Sequence, residues 1–409
     1  MQGINTRILH QPAEKEDVYH AIRFPVYDTA AYAFETSEDI ANAFQGKEKA
    51  HQYTRGSNPT VEHFERMLKS VTGAHAAVAV ASGMAAITNI CMAICRTGDN
   101  LVVSRFLFGN SYSLFNSTLP ALGINIRFAN MESEQELNSL IDENTRGVFC
   151  ESITNPQLQV VDISSLADFC HSRKIPLIVD TTLTPPGLFQ GKLAGIDVEV
   201  MSATKYFSGG GTGIGGCILD HGTYLWSQNP TLEGLYEKTG ANALLARLKK
   251  EIFRNFGACL SPHNAFLLTL GMETLTMRVE KTCNNALGLA QWLQTQKLVK
   301  AISYPGLPSH PNRAVAEKQF KGLFGGLLTF DLESREKCFQ VMDGLQIIKR
   351  ATNLNDNRSL IIHPESTIYC EFSDKQKNEQ GIRDTTIRLS AGIEDLPDLI
   401  SDMEQALNG

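Results

Sequence analysis

From Ala76 onward the chain alternates short apolar, β-branched runs with longer stretches in which apolar residues recur at helical spacing. The short runs lie at 76–81, 100–104, 124–129, 147–151, 176–180, 197–202 and 214–219. Strands separated by helices need crossover connections, which predicts a largely parallel sheet with helices on its faces. The last gap, 203–213, is too short and too rich in glycine for a crossover helix, so the seventh strand is expected to run antiparallel to its neighbour. The pattern therefore predicts an α/β fold on a seven-stranded mixed sheet.

The first sixty residues are polar and mixed, carry Pro12, Pro25 and Pro59, and show no sustained period; they suit an arm that wraps a partner. A long amphipathic helix is expected over 264–296 as the link to a second, smaller unit. There the pattern predicts a strand near 325–332, a helix near 336–345, strands near 359–362 and 386–390, and a closing helix from Leu396, which together make an α+β cap. The expected division is an arm over 1–60, a larger domain over 61–260 and a C-terminal α+β domain over 261–409. No repeat or low-complexity tract interrupts this order.

Composition narrows the function classes. With 43% apolar and 20% charged residues and a formal net charge of −7, the chain has a mild acidic excess, which argues against nucleic acid or an anionic membrane as its main partner. No apolar stretch reaches the length of a membrane span, and the opening residues lack the apolar core of a signal peptide, so a cytoplasmic location is expected. The nine cysteines are dispersed without a Cys-x-x-Cys pair, which suits buried reduced thiols better than a disulfide frame, and the ten equally dispersed histidines suggest no metal site.

Lys205 closes the sixth apolar run in Met201-Ser202-Ala203-Thr204-Lys205-Tyr206-Phe207-Ser208-Gly209-Gly210. A strand end inside a core desolvates an amine and lowers its pKa, as a Schiff-base lysine requires, while the flanking hydroxyls can bind an anion. Taken alone it reads equally as a surface lysine past a strand. Ser82-Gly83-Met84-Ala85-Ala86 follows a strand and opens a helix, so the Gly83 and Met84 amides can face a phosphate; a plain N-cap by Ser82 is the simpler reading. Asp180 ends the buried run Pro176-Leu177-Ile178-Val179-Asp180, where a protonated ring nitrogen or a helix cap would satisfy it. Arg388 in a strand reads as a carboxylate clamp or as a structural ion pair. Together these are the parts an enzyme builds around pyridoxal phosphate. Gly211-Thr212-Gly213-Ile214-Gly215-Gly216 matches the dinucleotide fingerprint, but it precedes a strand instead of opening a helix, which argues against a dehydrogenase.

Spaced motifs then carry a family resemblance nearly end to end: Pro25-Val26-Tyr27-Asp28-Thr29, Tyr53-Thr54-Arg55-Gly56-Ser57-Asn58-Pro59-Thr60, the Ser82 run, Glu151-Ser152-Ile153-Thr154-Asn155-Pro156, Val179-Asp180-Thr181-Thr182, the lysine run, and Arg388-Leu389-Ser390-Ala391-Gly392-Ile393-Glu394-Asp395. In this order they resemble the Cys/Met-metabolism pyridoxal-phosphate enzymes, which implies the fold type I, aspartate aminotransferase-like architecture with 61–260 as the cofactor-binding domain. The resemblance implies that Lys205 holds the cofactor and then shuttles protons. It implies that Ser82, Gly83, Met84, Thr182, Ser202 and Thr204 lie around the cofactor, that Phe108 stacks on the ring, and that Asp180 serves the ring nitrogen. Tyr53 and Arg55 would reach the phosphate from a neighbouring subunit of a homo-oligomer, in this family commonly a tetramer, and Tyr53 would take part in catalysis. Arg388 would clamp the substrate carboxylate, Asn155 would contact ring or substrate, and the backbone around Asn353 would line the same pocket.

Departures from the family pattern bear on subtype. Phe108 stands where Tyr is usual, and Asn110 where methionine γ-lyases place Cys. The Phe108-Gly109-Asn110-Ser111-Tyr112 run and segments 255–264 and 359–364 look more like O-acetylhomoserine sulfhydrylases. Thr181, Gly210 and Asn355 replace Asn, His and Gly of the usual motifs. The expected activity is γ-replacement on O-acetylhomoserine, with sulfide or a small thiol giving homocysteine. A cystathionine γ-synthase or γ-lyase is the runner-up, and a pyridoxal-phosphate-binding regulatory scaffold is the reading outside catalysis. The sulfur donor stays open among free sulfide, a thiol and a sulfur-carrying protein.

Overall fold

A computed structural model gives the architecture of residues 2–10 and 19–409, so Pro12 of the expected arm lies outside the described residues. The seven strands are β1 (Ala76–Val80), β2 (Asn100–Ser104), β3 (Asn125–Ala129), β4 (Thr145–Glu151), β5 (Leu177–Asp180), β6 (Val198–Ser202) and β7 (Gly216–Asp220). They form one sheet in the order β1-β7-β6-β5-β4-β2-β3. Strands β2 to β6 pair in parallel, and β7 runs antiparallel to both β1 and β6, as the short gap before it requires. Every residue of β1, β2 and β7 is buried, because helices cover both faces. Strand β7 starts two residues later than its apolar run. The Gly215 amide and carbonyl are both engaged by the Thr204 hydroxyl, which removes them from the ladder.

Local signals set the helices around this sheet. Asn58 caps the helix Pro59–Thr72 by accepting from the Thr60 amide at 2.9 Å, Pro59 occupies the first turn, and Gly73 ends it at φ 71°. This helix begins inside the expected arm. The arm also holds the short helices Ile4–Leu9, which buries Ile8, and Ser37–Phe44, while Tyr19 and Ile22 are almost wholly exposed. Residues 226–256, to which the pattern assigns nothing, form the short helices Glu233–Thr239, Ala243–Arg247 and Phe253–Phe256; their Leu244 and Phe253 are buried in one core with β1 and the helix Gly83–Ile94.

The single helix expected over 264–296 is two helices, Pro262–Met272 and Leu275–Leu293. The break is held by buried Arg278, whose guanidinium takes the Gly271 carbonyl, the Thr274 hydroxyl and the Tyr206 carbonyl. Carbonyls freed at a helix end need such a partner. Beyond it β8 (Ala301–Ser303), β9 (Leu327–Asp331), β10 (Lys349–Arg350), β11 (Leu360–Ile362) and β12 (Thr386–Ser390) form a second sheet in the order β10-β11-β12-β9-β8. Strands β8 and β10 were not expected, since two or three residues carry no readable period. All nine cysteines are free, and seven of them are buried.

Candidate active site

The chemistry-bearing residues converge because they end neighbouring strands. Ser82 follows β1, Glu151 ends β4, Asp180 ends β5 and Ser202 ends β6, and ligands in open α/β sheets bind at the carboxyl ends of the strands. There a cavity of about 220 Å³ is lined by Ser82, Gly83, Met84, Phe108, Asn155, Asp180, Thr182, Ser202, Thr204 and Lys205 of the expected set, joined by Glu151, Thr352 and Leu354.

Lys205 is half-buried in the turn after β6, and burial pulls its amine down to about 8. That value already includes the Arg388 charge, which acts in the same direction as burial, and Asp356, which opposes. Nζ donates to the Asn353 side-chain oxygen at 2.6 Å. Arg388, in β12, is fully buried. One Nη donates to Asn155 Oδ1 at 3.2 Å and the other to the Thr352 carbonyl at 3.2 Å. Its Nε has no partner, and among the described residues no carboxylate pairs with it. A buried guanidinium so left is an anion site in waiting, and burial lowers its pKa to about 10. The structural ion pair is therefore the weaker reading.

Asp180 accepts from the Thr182 amide at 2.8 Å, and burial raises its pKa. Its register partner on β4 is Glu151. Burial, and then the Asp180 charge, push Glu151 up to about 8, although its oxygens accept from the Phe108 amide at 2.7 Å and the Asn155 amide at 3.2 Å. Thus one acid sets the backbone of both the expected ring-stacking residue and the expected substrate contact. A protonated ring nitrogen beside Asp180 would return it to the charged form.

The Ser82 hydroxyl accepts from the Ala85 amide at 3.1 Å, so the capping reading holds. The Gly83 and Met84 amides, one and two positions into the helix, have no intrahelical acceptor and remain able to hold a phosphate. A Cβ on Gly83 would come within 2.8 Å of Ser202 Cβ, so only glycine lets these two walls meet. Thr182 spends its hydroxyl on the Ser202 amide, and Thr204 spends its own on Gly215. Tyr53 and Arg55 are exposed and stand outside the cavity wall; Arg55 lies over the Tyr53 ring and donates to the Arg254 carbonyl at 2.8 Å. The residues present fit pyridoxal phosphate: a depressed lysine amine, a buried acid and a glycine-walled helix start share one cavity, and the carboxylate-free Arg388 guanidinium, outside the wall itself, is bonded to its Asn155 and Thr352.

The departures do not all have local accounts. Thr181 is fully buried and donates to Glu199 at 2.9 Å, and Glu199 also meets buried His221 at 2.7 Å. A Cβ at Gly210 would meet Thr212 and Asn357 only at ordinary contact distance, 3.5 and 3.8 Å, and nothing in the local structure explains the glycine there. Asn355 sits at φ 52°, fully buried, with neither side-chain amide atom partnered among the described residues. Sequence reasoning missed Glu151, Asp356 and Tyr369. Glu151 opened a quoted motif at a strand end, a usable signal. Asp356 and Tyr369 gave none, because Tyr369 bonds Leu107 and Asn155 carbonyls more than two hundred residues away.

The chain is similar to several known proteins along most or all of its length. The O-acetyl-L-homoserine sulfhydrylase 1 of Thermus thermophilus is 36% identical over 98% of both chains. A structure of O-acetylhomoserine sulfhydrylase from the methionine biosynthetic pathway of Wolinella succinogenes is 46% identical, covers 87% of this chain and 99% of its own, and superposes with a TM-score of 0.79. A Campylobacter jejuni structure, described as a candidate O-acetylhomoserine (thiol)-lyase with N′-pyridoxyl-lysine-5′-monophosphate at position 205 of that chain, is 34% identical over 100% of both chains with a TM-score of 0.94. The model of the Cys/Met metabolism PLP-dependent enzymes matches residues 5–408, and with the fold and the cavity in agreement, the chain belongs to that family.

Proposed function

We propose that the protein replaces the acetate of O-acetylhomoserine by sulfide or a small thiol, giving homocysteine or its thioether. The observation that carries this reading is the depressed Lys205 amine on the cavity wall with the buried, carboxylate-free Arg388 guanidinium directly behind that wall, bonded to its Asn155 and Thr352 and close enough for its charge to act on the lysine. Bound pyridoxal phosphate supplies the electron sink that makes the substrate α-proton removable. Arg388 binds the α-carboxylate, and Asn155 orients it from the other side of the guanidinium. The Lys205 amine, able to be neutral near pH 8, takes the α-proton at Nζ and returns it. With hydrosulfide, the Cγ–O bond breaks with its electron pair leaving on acetate, and the Cγ–S bond forms from the sulfur pair. Hydrosulfide and ester thus yield homocysteine and acetate in balance.

The same residues serve γ-elimination, which releases ammonia and a keto acid. The cofactor-loaded protein should be given O-acetylhomoserine with and without sulfide. Sulfide-dependent homocysteine supports the proposal; keto acid formed regardless of sulfide defeats it.

The exposed Tyr53 and Arg55 complete the cavity of a neighbouring copy in a homo-oligomer, which we expect to be a tetramer. Their exposed place outside the lining of their own cavity and the exposed apolar side chains of the arm support this. No helix among the described residues is long and apolar enough to cross a membrane, and we expect the enzyme to work in the cytoplasm. Free sulfide, a thiol and a sulfur-carrying protein all remain candidate donors.

A further inference from the structure

Asp356 is not part of the cavity wall, yet its side chain is bound to the side chain that holds Lys205. Asn353 Oδ1 accepts from Lys205 Nζ at 2.6 Å, and Asn353 Nδ2 donates to Asp356 Oδ2 at 3.0 Å. A carboxylate only accepts, so Asp356 decides which end of the amide faces the lysine. Turned the other way, the amide would point its own N–H groups at an ammonium. Asp356 is itself buried and held by the Arg358 amide at 3.1 Å.

The glycine run that imitates a dinucleotide fingerprint packs against this pair. Gly211 lies at φ +64°, and a Cβ there would stand 2.9 Å from Asp356 Oδ2 and 3.0 Å from Asn353 Nδ2. The Gly209 carbonyl accepts from the Asn357 amide at 2.7 Å. Position 211 is glycine so that loop 353–357 can reach the lysine turn. Charged or titratable groups approach the Lys205 amine from three other elements: Arg388 from β12, Asp180 from β5 and Glu151 from β4. Burial favours the neutral form of both of those acids, which leaves Asp356 as the carboxylate whose charge reaches the lysine.

We propose that Asp356 is a positioning residue that fixes the Asn353 amide with its oxygen toward Lys205, so that the lysine amine has one docking point whenever it is not covalently engaged. The inference rests on Lys205 being the cofactor lysine and is independent of which ester or sulfur donor is used.

The test uses the full-length chain freed of cofactor with hydroxylamine and reloaded with pyridoxal 5′-phosphate, followed by the absorbance of the lysine-bound form across pH. Capture of an aldehyde needs the neutral amine, so its rate traces the amine's titration. Asp356→Asn removes the charge and can donate as well as accept, so it no longer dictates which end of the Asn353 amide faces the lysine; its capture midpoint is expected to fall by roughly half to one pH unit. Asp356→Ala, which also frees the amide, should in addition slow capture at high pH by about tenfold. Far-UV circular dichroism and melting of each variant separate misfolding from misplacement, with the near-isosteric Asp356→Asn as the readable one. An unmoved midpoint in folded Asp356→Asn overturns the proposal, whatever Asp356→Ala does.

Discussion

Glu151 and Asp180 are register partners at the ends of adjacent parallel strands, and both face the cavity as buried acids. Burial disfavours the charge of both, and the Asp180 charge adds to that at Glu151. Their protonation is therefore linked to folding.

The Glu151 carboxyl, raised from 4.5 to about 8, holds a proton in the native state that the unfolded chain has released. The stability this contributes is fully present below pH 4.5 and is lost as pH rises through about 8, since the native state binds more protons across that window. Chemical denaturation of the cofactor-free chain at a series of pH values should show this decline. In Glu151→Gln the decline should shrink to the part that Asp180 contributes, and because the Gln amide nitrogen must face either the Phe108 or the Asn155 amide, stability should drop by roughly 1–3 kcal/mol.

Lys205→Ala removes the only amine that the described residues place on the cavity wall. We expect homocysteine formation to fall by at least about 10³-fold with the melting profile retained. Turnover at the parent rate would refute the proposed role of the lysine.

Arg388→Lys keeps a positive charge but loses the planar fork that Asn155 and the Thr352 carbonyl hold in place. The expected result in steady-state kinetics is a kcat/KM lower by about 10²-fold, most of it in KM, because bidentate geometry is what lysine cannot reproduce.

Asn355 has a left-handed backbone and a buried, unpartnered amide. Asn355→Gly relieves both, and a gain of about 1 kcal/mol, read as a higher melting temperature, is expected. A loss would mean that the amide has a partner in solution.

Mixing inactive Lys205→Ala protein with inactive Arg55→Ala protein tests the shared site. If Arg55 serves a neighbour's cavity, random re-association of dimers restores one intact site in half of them, hence roughly a quarter of parent activity. No recovery on mixing, with subunit exchange shown by mass, would place Arg55 outside the shared chemistry.

The strands, their antiparallel seventh member, the Ser82 cap, the lysine turn and Asp180 were all legible because each is written in a window of a few residues: alternation, a glycine-rich gap too short for a helix, a polar residue closing an apolar run. The spaced motifs added the family. What had no local signature was who meets whom. The Lys205–Asn353 bond spans 148 positions and the Arg388–Asn155 bond 233, so no window could contain either. Arg278, which breaks the expected long helix by taking carbonyls from another element, is likewise invisible to periodicity. The sequence by itself determined the elements and the residue types the chemistry needs, since these follow from local backbone preference and side-chain character. Only the tertiary structure decided that Glu151 is an acid beside Asp180, that Arg388 lacks an acidic partner, and that Asp356 orients Asn353, because burial and charge are set by neighbours the chain brings together only on folding.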